Sequence, residues 1–355
     1  MNNNVIIVSA LERQLSHAIG ECRADRIFIL TDSNTERLCL PVVRHFDCLR
    51  QAHTITIAAG DTNKSLEAVT HVWAELQRLG ATRHSLLVNL GGGMVTDLGG
   101  FAASTFKRGI DYINLPTTLL SMVDASVGGK TGFNFGGLKN EIGVFSIPSS
   151  VLLDTDFLKT LDHENILSGY AEMVKHGLIS DEATWAELVT FAGFDSPGSE
   201  RLAAMLEKSV AVKERIVEAD PTEQGIRKAL NLGHTVGHAM ESLAMSGTTG
   251  GRLTPLLHGY AVAYGLVCEL YLSVVKTGFP TDRMRQTVHF IHEHYGRMPI
   301  TCDDYPTLLQ LMTHDKKNTA GEINFTLLGG IGDIRINQTA STKDIEEALD
   351  FYREG

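Results

Sequence analysis

Two alternating periodicities govern the first half of this chain. Short β-branched runs at 4–8, 26–31, 54–58, 85–90 and 112–115 are separated by stretches with helical apolar spacing, 62–79 and 94–107 among them. Strands that alternate with helices build a parallel sheet with helices on its faces. Ligands of such sheets bind beyond the carboxyl ends of the strands. Three suggestive segments stand there: TDSN at 31–34, GDTNK at 60–64 and GGGMVTD at 91–97. From about residue 157 helical patterns dominate, at 161–179, 184–191, 200–218, 228–244 and 259–275, with one short strand pair at 323–328 and 334–336. The expectation is an α/β domain over 1–157 and a helical domain over 158–355, with no Pro/Ser-rich linker and a cleft between them.

Composition narrows the partners. A net charge of −11 argues against nucleic acid and anionic membranes, yet leaves room for an anionic substrate in a locally basic pocket. Cys22, Cys39, Cys48, Cys268 and Cys302 are scattered, with no CxxC, which fits a reducing cytoplasm and disfavours a disulfide framework or thiolate zinc site. The start, MNNNVIIVSALERQ, lacks the regions of a signal peptide, and Glu269 interrupts the best membrane-spanning candidate, around 261–275.

The run DASVGGKTGFNFGGL at 124–138, followed by Lys139 and Asn140, carries Gly128, Gly129, Gly132, Gly136 and Gly137 together with Lys130. Glycines let backbone N–H groups approach an anion, so the segment reads as a cradle for a phosphorylated or carboxylated small molecule. It lacks the GxxxxGK[ST] spacing of a Walker A loop. The glycines at 91–93 follow an apolar strand and open a helix, which suits a pyrophosphate, with Asp97 one turn further on. Asp32, Asn34, Asp61 and Lys64 each read singly as helix caps; at successive strand ends they favour a dinucleotide.

A second constellation is LNLGHTVGHAMES at 230–242 with HGYAVAYG at 258–265. His234 and His238, four apart, share a helix face, and His258 opens another helix. Glu172, in SGYAEMVKHG, lies one turn before Lys175 and His176. Two histidines, one carboxylate and an open position make the pattern of a catalytic zinc site, and the residues alone leave open which two histidines serve. Lys175, Lys213, Arg227 and the pair Lys316–Lys317 form a basic group. Arg227 stands four residues before Asn231 and seven before His234, which predicts one shared face and a bidentate grip on a carboxylate.

Taken together, these motifs resemble the 3-dehydroquinate synthase family, among the sugar phosphate cyclases. The likeness runs from TDSN to DKKNTAGEINFTLLGGIG at 315–332 and is densest at 91–140, AEMVKHGLI and LNLGHTVGHAMES. It implies a Rossmann-like NAD-binding domain, an all-α metal domain, an interdomain active site and a cytoplasmic homodimer. It implies Zn2+ or Co2+ on Glu172, His234 and His258, with His238 beside the substrate. The catalytic group would be Lys130, Lys139, Asn140, Lys175 and His238. Substrate contacts would fall at Arg108 (reaching from the neighbouring subunit), Asp124, Lys213, Arg227, Asn231 and one of Lys316 or Lys317. NAD contacts would fall at Asp32, Asn34, Asp61, Lys64, Gly92, Gly93, Asp97, Thr117 and Thr118.

The implied reaction is a lyase step of the shikimate pathway. It turns 3-deoxy-D-arabino-heptulosonate 7-phosphate into 3-dehydroquinate and phosphate by transient oxidation, elimination, re-reduction, ring opening and aldol closure. Rival readings are a cyclase for a substrate without a carboxylate, a metal-dependent alcohol dehydrogenase, which would accumulate NADH, and a non-catalytic binder. One departure stands out: Tyr260 occupies the position of the family's usual Glu in HGEAVA, which alters the groups that orient the metal ligands.

Overall fold

The computed structural model describes residues 4–136, 138–194, 196–247, 249–313 and 323–355. The chain packs as two compact units: 1–162 with 196–210, and 163–195 with 211–355.

Unit 1 holds a six-stranded sheet: β1 (Val5–Ile7), β2 (Ile27–Asp32), β3 (His53–Ile57), β4 (Leu86–Gly91), β5 (Asp111–Pro116) and β8 (Ser150–Leu153). The order is β1-β8-β5-β4-β2-β3, every neighbouring pair parallel. The five strands expected from the β-branched runs are all present, shifted by a residue or two. Each position of β4 is buried and only the first of β2 is not fully so, as a sheet covered on both faces requires. The helices are α1 (Leu11–Cys22), α2 (Ser33–Leu38), α3 (Leu40–Val43), α4 (Leu66–Arg78) and α5 (Gly93–Thr105). Val69, Val72 and Leu76 of α4 and Val95 and Leu98 of α5 pack with Phe28, Leu30, Ile55, Leu87 and Phe133 in one core. A side chain at Gly99 would meet the Asn89 carboxamide at 2.0 Å, so this glycine sets how closely α5 lies on the sheet.

The run 124–138, the expected anion cradle, is built on regular structure. It is a π-helical turn at Ser121–Ala125, then an antiparallel hairpin of β6 (Lys130–Phe135) and β7 (Leu138–Phe145). Gly132 faces Gly143 across the ladder, and a Cβ on Gly132 would stand 2.4 Å from the Ile142 carbonyl oxygen. That glycine serves strand contact rather than an anion. Gly128, Gly129 and Gly136 do carry positive φ, at 101°, 68° and 60°, and Gly137 lies outside the described residues.

Unit 2 is built from α6 (His163–Leu178), α7 (Glu182–Val189), the C-terminal part of α8 (Glu200–Ala219), α9 (His234–Met245), α10 (His258–Thr277), α11 (Thr281–Tyr295), α12 (Tyr305–Thr313) and α13 (Thr342–Glu354). It also holds one antiparallel hairpin, β9 (Asn324–Gly330) with β10 (Asp333–Thr339), so it is helical with a β appendage. By length and composition α10 is apolar enough to cross a membrane, but 72% of its apolar window is buried inside the protein. It is the core helix of this unit, flanked by α6, α9, α11 and α13.

Candidate active site

In unit 1 the sheet order gathers what the sequence scatters. The chain reverses its direction of strand addition between β2 and β4, and the crevice at that point is where open α/β sheets bind dinucleotides. Thr117 and Thr118 follow β5, Gly92 and Gly93 follow β4, Asp32 and Asn34 stand at the end of β2, and Asp61 and Lys64 follow β3. These are four consecutive strands in space. Gly92 caps the start of α5, and a Cβ there would meet Thr118 at 3.0 Å. The Thr117 amide donates to the Gly91 carbonyl at 3.0 Å. Asp32 also acts locally, where its Oδ1 accepts from the Asn34 and Thr35 amides at 2.8 and 2.9 Å and so caps α2.

Lys64 is 3% exposed, and its ammonium lies 2.6 Å from Asp97 Oδ2 and also donates to Asn140 Oδ1. Lys139 pairs with Asp61 at 3.0 Å. The hairpin that carries Lys139 and Asn140 is thereby tied to the loop after β3. Breaking a buried ion pair from one side leaves a charge uncompensated. Lys64→Met is expected to cost about 3 kcal/mol in denaturant unfolding, and adding Asp97→Asn to recover much of it. Lys130 is exposed at the start of β6, and Asp124 is half-buried in the π turn. Arg108 is exposed on left-handed backbone, φ 71°, between Lys107 at 50° and Gly109 at 114°.

In unit 2, three helices bring the proposed ligands together. Glu172 on α6 is 0% exposed, and its Oε1 lies 3.5 Å from Nε2 of His234 and 3.5 Å from Nε2 of His258. His238 joins them: one ring nitrogen from each of the three histidines lies within 4.8 Å of the others. Two ligands of a tetrahedral zinc stand about 3.3 Å apart, so the Glu172–His234–His258 spacing fits a divalent cation of that kind. Lys175, also buried, sits against Glu172 Oε2.

Small residues allow this convergence. A Cβ on Gly259 would stand 1.8 Å from the Ser168 carbonyl oxygen, so α10 touches α6 backbone to backbone beside His258. Gly259→Ala is expected to force the helices apart and cost about 3 kcal/mol, read as a lowered Tm.

The groups behind the ligands are not in the expected set. His234 Nδ1 meets the Leu232 carbonyl at 3.1 Å, which turns Nε2 toward Glu172. His258 Nδ1 faces Glu241 Oε2 at 3.6 Å. Burial works against the charge of His258, but Glu172 and Glu241 on its two nitrogens outweigh it and push its pKa up to about 10. Glu241 stands seven residues after His234, a spacing that could have found it. Tyr260, the departure noted in the sequence, packs edge-on to Tyr295, with ring centroids 5.1 Å apart.

The basic group divides. Lys213 and Arg227 are buried, and Arg227 Nη1 donates to the Pro221 carbonyl at 2.6 Å. Asn231 donates to Glu223 at 2.9 Å. The single helix expected over 228–244 is instead a 3₁₀ turn, Ile226–Asn231, and then α9, separated by Gly233 at φ 80°. The expected shared helical face of Arg227, Asn231 and His234 therefore does not form: the left-handed glycine resets the register. Lys316 and Lys317 lie outside the described residues.

Comparison with known proteins bears on both units. Residues 54–168 match the family model described as 3-dehydroquinate synthase N-terminal, and 169–318 match its C-terminal counterpart. A 3-dehydroquinate synthase of Parabacteroides distasonis is 53% identical over 99% of this chain and 98% of its own length. Among solved structures, 2-epi-5-epi-valiolone synthase from Streptomyces hygroscopicus subsp. jinggangensis, with NAD+ and Zn2+ bound, superposes with a TM-score of 0.85 at 24% identity, covering 100% of this chain and 97% of that one. A 2-deoxy-scyllo-inosose synthase complexed with carbaglucose-6-phosphate, NAD+ and Co2+ gives 0.83 at 22% identity, covering 99% and 96%.

Proposed function

This chain belongs to the 3-dehydroquinate synthase family, and from that premise we propose that it converts 3-deoxy-D-arabino-heptulosonate 7-phosphate to 3-dehydroquinate and phosphate. The observation that carries the reading is the meeting of His234 and His258 at one oxygen of the buried Glu172. When bound, NAD supplies a reversible hydride acceptor and the divalent cation acidifies a substrate hydroxyl.

The chain's own part is to hold and orient. Glu172, His234 and His258 hold the Zn2+ or Co2+, and His238 is left to face the substrate. Asp32, Asn34, Asp61, Lys64, Gly92, Gly93, Asp97, Thr117 and Thr118 hold the dinucleotide, its pyrophosphate at the start of α5. The substrate is a dianion or more, carrying a carboxylate and a phosphate. Arg227 and Lys213, with Asn231, answer the carboxylate; buried cations act there at low dielectric and with little reorganisation. Lys130, Lys139, Asn140 and Asp124 orient the phosphate end, together with Arg108 contributed by a second copy, so the reading includes a homodimer in the cytoplasm. Lys175, against Glu172, sets a positive charge beside the buried carboxylate and stands ready to donate to a substrate oxygen.

The test is phosphate release from the heptulosonate 7-phosphate with catalytic NAD and zinc, while NADH absorbance is followed. Stoichiometric phosphate with no net NADH supports the reading. NADH that accumulates without phosphate points to a dehydrogenase, and no reaction to a cyclase of other sugar phosphates.

A further inference from the structure

We propose that Glu269 is a positioning residue for the metal centre, acting through the first turn of α9; the proposal rests on the metal-binding reading of Glu172, His234 and His258. Glu269 lies on α10 and is 0% exposed. Its Oε2 accepts from the Gly233 amide at 2.6 Å, and its Oε1 from the Thr235 and Val236 amides at 3.0 and 3.2 Å. These amides bracket His234, the first residue of α9. A helix start leaves its first N–H groups without intrahelical partners and carries partial positive charge, so a buried carboxylate there is both satisfied and directional.

The consequence reaches the ligand ring. With the amides on either side of His234 fixed, its Cα and the Leu232 carbonyl are fixed, and that carbonyl sets the orientation of the imidazole through Nδ1. α10 itself begins with His258. One helix thus supplies one ligand and, eleven residues later, clamps the backbone of another. The approach is tight: a Cβ on Gly265 of α10 would stand 1.9 Å from the Gly233 carbonyl oxygen. Two buried acids lie against the ligand helices: Glu241 on α9, facing His258, and Glu269 on α10.

Glu269→Gln preserves shape but turns an NH2 toward at least one backbone N–H, so donor meets donor. The experiment titrates metal-free protein with Co2+, reads the visible absorption of the bound ion, and checks folding by circular dichroism. The expected result is a Co2+ Kd raised about 10- to 100-fold with an altered band shape. A folded Glu269→Gln with wild-type Kd and spectrum overturns the proposal, even if its Tm falls, since a merely structural cap would behave that way. Should Glu269→Gln fail to fold, Glu269→Asp keeps the charge on a shorter arm. It is expected to bind Co2+ more weakly than wild type, and an unchanged Kd and spectrum overturns the proposal. Wild-type protein that takes up no Co2+ overturns the metal-binding reading instead.

Discussion

Glu172→Gln is expected to strip the protein of its divalent metal while leaving NAD binding intact. The carboxylate is fully buried and stands at 3.5 Å from both His234 and His258, so its charge is the centre of the ligand set. A neutral carboxamide can offer one oxygen, but it neither balances the cation nor neutralises Lys175 beside it. Loss of the metal's charge stabilisation, several kcal/mol, corresponds to a fall in turnover of about 10³-fold or more. Elemental analysis after gel filtration reads the metal, and calorimetry reads NAD. The residues proposed for NAD all belong to unit 1, whereas Glu172, His234 and His258 belong to unit 2. A folded variant that loses both together would show that the two sites are not separable. Pairing it with Lys175→Met removes the stranded ammonium; stability is then expected to recover, and metal retention is not.

What local sequence could and could not carry is visible element by element. β1 to β5 are short apolar runs, β-branched in β1 to β3 and mainly leucine in β4, bounded by turns, so each is legible alone. The hairpin of β6 and β7 is not, because Gly132 and Gly143 depress strand propensity at the point where the two strands touch. α9 looks longer than it is: Lys228, Ala229, Leu230 and Leu232 are good helix formers, and the left-handed Gly233 that interrupts them sits so close to Leu266 and Val262 of α10 that a Cβ there would meet them at 2.9–3.0 Å. α13 shows apolar residues at 345, 348, 349 and 352 after a capping box of Ser341 and Asp344, a complete local signal absent from the predicted elements.

The site divides in the same way. His234 and His238 announce themselves by spacing, and the strand-end residues by their place in an alternating pattern. Glu269 shows in sequence only as a charge breaking an apolar run. Its role depends on amides 33 to 36 residues away, which no periodicity reveals. The cluster of Lys64, Asp97 and Asn140 likewise needs the sheet and the hairpin to exist before its members meet.

Arg227→Ala is the second large effect, and it tests the substrate rather than the metal. Arg227 is 2% exposed, and its backbone amide donates to Asp220 Oδ2 at 3.1 Å. Asp220 also accepts from the Gln224 and Gly225 amides, at 3.0 and 2.7 Å, so the whole 220–227 turn is organised around one carboxylate. The chain spends a rigid turn and a buried guanidinium on one position. That is the arrangement expected where a planar anion must be gripped in a fixed orientation. Removing it is expected to raise KM for the heptulosonate phosphate and to lower kcat as well, with kcat/KM down about 10³-fold, about 4 kcal/mol of lost binding and orientation. Arg227→Lys keeps the charge without the fork and is expected to recover only part of that loss. The decisive comparison is a substrate analogue lacking the carboxylate, on which wild type and Arg227→Ala are expected to perform alike. If Arg227→Ala instead turns over the carboxylate substrate at the wild-type rate, the assignment of a carboxylated substrate falls, and a cyclase acting on a sugar phosphate without that group takes its place.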